Sequence, residues 1–211
     1  MLVRRTKPSC WRFLRLAGIN EHRVLALEGL PGAGKTSLMH RIKLLFPDIA
    51  IVPEVVLASP PRPDRHFFAR NDMVRVFMSE TSGAVVLDRS WMSTAAYVIA
   101  ESRRFGRDVY YDQIVQDLYG GAPACPSVCL FIDSPRALAL AFARDGLFPD
   151  LRFRALLRLA YLEVFARLPD CSVHVVRDDS IRRALPAICE AFGWQPGSPL
   201  DADREINEWC S

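Results

Sequence analysis

The sequence predicts an α/β domain in which a parallel β-sheet is covered by helices on both faces. Two observations lead to this prediction. Short apolar runs alternate with longer segments of helical spacing, and a glycine-rich turn separates the first apolar run from the first helical segment. Short apolar runs are typical of strands buried on both faces, and parallel strands need crossovers of this kind. A chain of 211 residues is long enough for one such domain.

Five strands are predicted, and each ends in turn residues or polar side chains. The strands cover residues 23–27, 49–52, 84–87, 128–132 and 172–176. Pro47 ends the first helical segment, a proline-rich loop covers residues 59–64, and Ser134-Pro135 begins a helix that extends to about residue 144. The other helical segments are expected near residues 38–45, 67–80, 97–102, 112–119, 153–167 and 181–192. We therefore expect a domain over residues 24–194, between a basic N-terminal extension (1–23) and a C-terminal tail (195–211).

Charge is distributed unevenly along the chain. The formal net charge is +3, and the N-terminal extension is strongly basic through Arg4, Arg5, Lys7, Arg12, Arg15 and Arg23. The rest is slightly acidic, so we expect no nucleic-acid partner. The extension lacks the long apolar stretch of a secretory signal, which leaves a poorly ordered arm or a membrane-surface arm. No apolar stretch is long enough to span a membrane, and the cysteines show no metal-ligand spacing, so we expect a cytoplasmic protein without stable membrane insertion.

The glycine-rich turn matches the phosphate-binding loop pattern G-x-x-x-x-G-K-[ST]. The loop and the residue after it are Gly29, Leu30, Pro31, Gly32, Ala33, Gly34, Lys35, Thr36 and Ser37. Glycines allow the backbone N–H groups to point at phosphate oxygens, and the lysine reaches the β- and γ-phosphates. The Thr36 hydroxyl is a natural Mg²⁺ ligand. A strand precedes the loop and a helix follows it, as the motif requires, so the sequence predicts a site for ATP with Mg²⁺.

Polar side chains follow most of the other predicted strands. Glu54 follows the second strand, Asp88 and Arg89 the third, and Asp133 the fourth. In sheets of this type ligands bind beyond the carboxyl ends of the strands. Two carboxylates could assist the loop in holding Mg²⁺, and we prefer Asp88 because the adjacent Arg89 suits phosphoryl transfer. Asp133 is expected to cap the next helix instead.

The combination of these elements resembles the thymidylate kinase and deoxynucleoside kinase group. The resemblance covers residues 24–180 and depends on the phosphate-binding loop, Pro53-Glu54, Asp88-Arg89-Ser90 and the helix that contains Tyr161. It implies a three-layer αβα P-loop kinase fold with a five-stranded parallel sheet and a short arginine-bearing lid. It also implies transfer of the γ-phosphate of ATP to a nucleoside, a nucleotide or a small molecule of similar size.

The resemblance also implies roles for individual residues. Glu54 matches the glutamate that activates an acceptor hydroxyl, and Asp88, Arg89 and Ser90 match an element that contacts Mg²⁺ and phosphate. The lid arginines correspond best to Arg144 and Arg152. Arg154 and Arg158 are further candidates, and the alternative for each is an ordinary solvated helix charge, which we prefer for Arg158. The acceptor pocket is expected to involve Glu54, Phe67, Phe68, Arg70, Asn71, Arg89 and Tyr97. One of the two phenylalanines is expected in the core.

The sequence departs from both subgroups in the acceptor region. Thymidylate kinases usually carry an R-E-P-type element after the second strand, whereas this chain has Pro53-Glu54-Val55-Val56. Deoxynucleoside kinases have a longer segment between that glutamate and the D/E-R-S element. The acceptor therefore stays open, and an antibiotic-type small-molecule phosphotransferase and a nucleotide-binding regulatory ATPase remain as alternatives. The sequence also leaves open whether the protein is a homodimer.

Overall fold

A five-stranded parallel sheet forms the centre of the computed structural model, which describes residues 23–134, 151–168 and 170–193. Its strands are β1 (Arg23–Gly29), β2 (Ala50–Val52), β3 (Ala84–Asp88), β4 (Val128–Ile132) and β5 (Ser172–Val176). They lie in the order β2-β3-β1-β4-β5, and each neighbouring pair is parallel. The five predicted strands are thus confirmed, with ends that differ by at most two residues.

Six helices belong to the described residues, and they cover both faces of the sheet. They are α1 (Lys35–Leu45), α2 (Arg65–Thr81), α3 (Trp91–Arg104), α4 (Tyr111–Tyr119), α5 (Leu151–Phe165) and α6 (Ile181–Phe192). On one face α1 and α6 bury residues such as Leu38 and Ile188 against the sheet. On the other face α3, α4 and α5 bury residues such as Trp91 and Tyr161. The three-layer αβα fold predicted from the sequence is therefore confirmed.

The register of the strands brings three loops together at one edge of the sheet. β1 is central, with Leu27 opposite both Asp88 of β3 and Leu130 of β4, and Gly29 opposite Ile132. The segments that follow β1, β3 and β4 therefore leave the sheet side by side. This edge is the place where ligands bind in open α/β sheets, and it contains the phosphate-binding loop.

Helix α2 is unusual because its buried face is largely polar and the middle of its outer face is apolar. The polar side chains turned toward the protein are Asn71, Asp72, Arg75 and Ser79. The apolar side chains exposed on the outer face are Met73, Val74, Phe77 and Met78. Helices of globular proteins ordinarily show the opposite arrangement. The polar side chains of the inner face therefore require hydrogen-bond partners inside the protein. The outer face has the composition of a contact surface.

Several sequence predictions lie outside the described residues. These are the N-terminal extension, the helix expected from Pro135 to about residue 144 with its lid arginine Arg144, and the C-terminal tail. The predicted domain boundaries and the cytoplasmic location therefore stay predictions. Within the described ranges, the structure contains no helix that combines the length and apolar character needed to cross a membrane.

Candidate active site

The glycine-rich loop after β1 adopts a conformation that its glycines make accessible. Gly29, Gly32 and Gly34 have φ values of 143°, 77° and 94°, which side chains of L-amino acids rarely adopt. A Cβ atom at Gly29 would lie 2.7 Å from the carbonyl oxygen of Ile132, and one at Gly34 would lie 2.5 Å from the Cβ of Asp179. The loop therefore packs too closely against β4 and the β5–α6 turn for larger residues.

The loop lysine folds back over the turn that precedes it. Lys35 is buried, and its Nζ donates hydrogen bonds to the carbonyl oxygens of Gly29 at 3.1 Å and Leu30 at 3.2 Å. Burial, together with the positive charge of Arg89, lowers the pKa of Lys35 to about 7. The side chains of Thr36 and Ser37, in the first turn of α1, are exposed. The partial positive charge of this helix N-terminus favours anions at the same place.

Arg89 connects the loop with the ends of β2 and α5. Its Nε lies 3.0 Å from Oε1 of Glu54, and its Nη1 donates to the carbonyl oxygen of Gly29 at 3.1 Å and to the hydroxyl of Tyr161 at 3.0 Å. The Arg89 side chain is 13% exposed, whereas the Glu54 side chain is 51% exposed. A largely buried guanidinium thus lies between the phosphate-binding loop and a carboxylate that solvent can reach.

Asp88 lies at the end of β3 within the same group of charges. Burial and the negative charge of Glu54 raise the pKa of Asp88, while the positive charges of Lys35 and Arg89 oppose this shift. The carboxylate is half-buried. The structure therefore brings together four of the residues predicted for the site, Lys35, Glu54, Asp88 and Arg89.

Glu28 is a central site residue that the sequence analysis did not predict. It is fully buried at the end of β1, and its Oε1 accepts hydrogen bonds from the backbone N–H and the hydroxyl of Ser90, both at 2.7 Å. Its Oε2 accepts a hydrogen bond from the hydroxyl of Ser93. Burial raises the pKa of Glu28, and the hydrogen bonds from Ser93 and Ser90 lower it. The available signal was a charged residue inside an apolar strand, directly before the first loop glycine.

Three of the predicted acceptor residues on α2 differ in their exposure. Phe67 is buried with 4% exposure, and Phe68 contacts it edge to face, with ring centroids 5.3 Å apart. Arg70 is exposed on the same helix. As predicted, one phenylalanine belongs to the core, and Phe68 and Arg70 stay candidates for contact with an acceptor.

Asn71 is engaged by the protein itself, which differs from its predicted contact with an acceptor. Its side chain is buried with 1% exposure. Its Oδ1 accepts from the backbone N–H groups of Val56 at 2.9 Å and Leu57 at 3.2 Å, and its Nδ2 donates to the carbonyl oxygen of Glu54 at 2.8 Å. The carboxamide therefore fixes the backbone of Glu54 and the residues after it, and supports the site from behind.

Tyr97 lies on α3 and contacts α5. Its ring meets that of Phe153 edge to face at 5.5 Å, and the residue is 40% exposed. Burial and the negative charge of Glu101 raise the pKa of the Tyr97 hydroxyl. The structure thus gives Tyr97 a packing partner, and its contact with an acceptor stays a prediction.

The described arginines of α5 have three different environments. Arg152 is exposed in the first turn, and Arg154 is buried. Arg158 forms an ion pair with Asp133, in which three hydrogen bonds have lengths from 2.8 to 3.0 Å. Asp133 therefore has a partner other than the helix it was expected to cap, which lies outside the described residues. Among the described candidates for a lid arginine, Arg152 and Arg158 are both exposed, and Arg158 is paired with Asp133.

The arrangement as a whole fits a phosphate-transfer site. The loop glycines, Lys35 and the start of α1 together form a cradle for negatively charged groups. The exposed Thr36 hydroxyl and the Asp88 carboxylate are oxygen groups of the kind that Mg²⁺ prefers. The fold and this site define a P-loop α/β protein.

Comparison with solved structures shows which P-loop proteins this fold is similar to. The chain matches deoxyadenosine kinase from M. mycoides, determined with bound dATP, with a TM-score of 0.59 and 12% identity over 81% of this chain and 100% of that chain. It matches thymidylate kinase from Candida albicans with a TM-score of 0.57 and 18% identity over 79% of this chain and 90% of that chain. The fold is therefore that of the P-loop nucleoside and nucleotide kinases, which confirms the resemblance seen in the sequence. No protein-family model and no curated protein matches the sequence.

Proposed function

We propose that the protein is an ATP-dependent kinase that transfers the γ-phosphate of ATP to a nucleoside, a nucleotide or a small molecule of similar size. The observation that carries this proposal is the position of Arg89, which contacts the loop at Gly29 and the carboxylate of Glu54 at once. A guanidinium between a phosphate cradle and a candidate base is suited to a phosphoryl group in transfer, because positioning and charge neutralisation supply most of the catalysis in such reactions.

The donor half of the site would be formed by the loop. Its backbone N–H groups and Lys35 would bind the phosphates of ATP, and Lys35 would exchange its contacts with the carbonyl oxygens of Gly29 and Leu30 for phosphate oxygens. Thr36 and Asp88 would hold Mg²⁺. The bound ion would neutralise phosphate charge and orient the γ-phosphoryl group. Arg152 and the predicted Arg144 would close over the donor as lid residues.

The acceptor half would lie beyond β2, between Glu54 and α2. Glu54 would accept the proton of the acceptor hydroxyl, since its carboxylate is half exposed and Asn71 fixes its backbone from behind. Arg89 would stabilise the negative charge that develops on the transferring group. Phe68 and Arg70 would contact the acceptor.

Replacing Glu54 by glutamine tests the hydroxyl acceptor. We expect Glu54→Gln to reduce kcat by a factor on the order of 10³, because the amide cannot take up the proton. The KM for ATP should change little. The measurement is ATP consumption with nucleosides, nucleoside monophosphates and antibiotic-like alcohols as acceptors, which also separates the small-molecule phosphotransferase from a nucleoside kinase.

A control is needed because Glu54→Gln also removes an ion pair. Glu163→Gln removes a comparable pair, since Oε2 of Glu163 lies 2.7 Å from Nη2 of Arg103 on the α3–α5 contact. This variant should keep wild-type turnover. Full activity of Glu54→Gln would instead assign a monophosphate acceptor, which needs no base. ATP hydrolysis that no acceptor stimulates would overturn the kinase in favour of a regulatory ATPase.

We also propose that the outer face of α2 joins two copies of the chain. Six of its exposed positions, 70, 73, 74, 77, 78 and 81, are spaced symmetrically about a point between residues 75 and 76, as two antiparallel copies of α2 require. The four central positions are apolar. In this pairing Arg70 lies near the C-terminal end of the partner's helix, where the helix dipole favours a positive charge.

Replacing the most exposed of these residues tests the dimer. Phe77 is 65% exposed, and Phe77→Glu should convert a dimer of 23.8 kDa chains into a monomer, because the two-fold pairing would bury a carboxylate from each copy. Light scattering after size-exclusion chromatography measures the mass. Phe105→Glu is the matched control, since Phe105 is 69% exposed outside α2. A wild-type monomer, or a dimer unchanged by Phe77→Glu, would contradict the proposal.

A further inference from the structure

A buried arginine lies directly behind the Asp88-Arg89 turn. Arg75, on the inner face of α2, is 2% exposed. Its Nη2 donates hydrogen bonds of 2.6 Å to the carbonyl oxygens of both Asp88 and Arg89. One charged donor thus binds two successive carbonyl groups, and hydrogen bonds from charged donors are among the stronger ones in proteins.

The backbone held by Arg75 is strained. Arg89 has a φ of 63°, and it is the one non-glycine residue with a positive φ in the described part of the chain. Such a conformation costs on the order of 1–3 kcal/mol and persists only when its surroundings enforce it. Two further hydrogen bonds fix the turn from the side of β1. The Arg89 N–H donates to Leu27 at 3.0 Å, and the Ser90 N–H donates to Glu28 at 2.7 Å.

Arg75 is itself fixed by buried partners. Its Nη1 lies 3.2 Å from Oδ1 of Asp72, and Oδ2 of Asp72 accepts a hydrogen bond of 2.9 Å from the hydroxyl of Tyr119 on α4. Both Asp72 and Arg75 are at least nine-tenths buried. A cavity of about 180 Å³ adjoins this group and is lined by both residues. Since the network reaches α4, the position of the guanidinium is determined by more than its own helix.

We infer that Arg75 is a positioning residue for phosphoryl transfer, an inference that rests on the proposed kinase function. By holding the carbonyl groups on either side of the Cα of Arg89, it fixes the direction in which the side chains of Asp88 and Arg89 leave the turn. Asp88 is thereby directed to the Mg²⁺ position and Arg89 to the gap between the loop and Glu54. Within the described ranges, Arg75 forms no hydrogen bond or ion pair with the loop itself.

This geometry separates the expected kinetic effects. Without Arg75 the strained turn relaxes, and both side chains lose their alignment while the loop glycines and Lys35 remain in place. A misplacement of about 1 Å can lower a rate by about 10²-fold. The loss should therefore fall on kcat. The KM for ATP should stay within about threefold of wild type, because the loop binds the phosphates equally well in the ground state and in the transition state.

The test uses two variants of Arg75 and one control on the same helix. Arg75→Gln cannot bind both carbonyl groups with a charged donor and should lose about 10²-fold in kcat. Arg75→Lys keeps the charge and should recover part of that loss. The control is Ser79→Ala, because Ser79 is also buried on α2 and its hydroxyl donates to Val76 at 2.7 Å instead of the turn. It should keep the wild-type kcat.

Hydrogen exchange gives a readout that needs no activity. In Arg75→Gln the amides of Arg89 and Ser90 should exchange about tenfold faster, while amides in β4 and β5 keep wild-type protection. A merely structural role would accelerate exchange throughout the domain. A kcat within about threefold of wild type, or unchanged exchange at these two amides, would overturn the inference. If the wild-type protein phosphorylates no acceptor, the kinase proposal fails, and local exchange still decides the positioning role.

Discussion

Lys35→Met should abolish phosphoryl transfer while leaving the protein folded. The ammonium group is the one strong positive charge that the loop itself provides, and methionine keeps the length of the side chain without the charge. Removing a single charge-stabilising donor from a transfer site costs about 10²–10³ in kcat. Because Lys35 would also bind the donor phosphates in the ground state, we expect kcat/KM for ATP to fall by more than about 10³-fold.

The thermal stability of Lys35→Met should not fall with its activity. The ammonium is buried with 7% exposure, and burial lowers its pKa to about 7, so the folded state disfavours the charge. Methionine removes this cost, although it leaves the carbonyl oxygens of Gly29 and Leu30 without their hydrogen-bond donor. We therefore expect a melting temperature equal to or above that of wild type. Calorimetry and steady-state kinetics on the same preparation measure both quantities.

Lys43→Met is the matched control for this prediction. Lys43 lies on the same helix, and its Nζ donates to the carbonyl oxygens of Pro47 at 2.6 Å and Ile49 at 2.7 Å, away from the loop glycines. Turnover of this variant should stay within about twofold of wild type, because surface charges of this kind contribute little. More than a tenth of wild-type activity in Lys35→Met would contradict the role given to the loop.

The parts of the site that could be predicted from sequence are those with a local pattern. The phosphate-binding loop has fixed spacing, and Glu54, Asp88 and Arg89 follow apolar runs that mark strand ends. Parallel topology then places these ends at one edge, so their proximity follows from the fold class. For this reason the sequence sufficed to predict the fold and the ion-paired residues Glu54 and Arg89, which the structure brings within 3.0 Å.

The remaining residues depend on contacts between distant parts of the chain. Helix α2 was predicted at nearly the correct position, but its spacing does not show that Asn71 and Arg75 face inward, because the opposite face is apolar. The partners of Arg75 are the carbonyl groups of Asp88 and Arg89. Every residue type has such a backbone acceptor, so the sequence does not indicate which ones are used. The same limit applies to Glu28, whose partners lie 62 and 65 positions away.

Glu28→Leu should strongly destabilise the protein, even though leucine suits a buried strand. The substitution leaves the N–H and hydroxyl of Ser90 and the hydroxyl of Ser93 without their acceptor, and it removes the negative charge near Arg89. Loss of one partner from a buried charged network costs about 3–5 kcal/mol. Urea denaturation should show a lower midpoint with an unchanged m-value.

Glu28→Gln separates the hydrogen bonds from the charge. Glutamine keeps one carbonyl acceptor for Ser90, so we expect a smaller loss of about 1–3 kcal/mol in the free energy of unfolding. Glu190→Gln is the control, because Glu190 binds His174 through a side chain that is 46% exposed, and its effect should be at most about 1 kcal/mol. If Glu28→Leu unfolds within about 1 kcal/mol of wild type, the carboxylate does not hold the Arg89-Ser90 turn. The strained conformation of Arg89 would then depend on Arg75 and the β1 backbone alone.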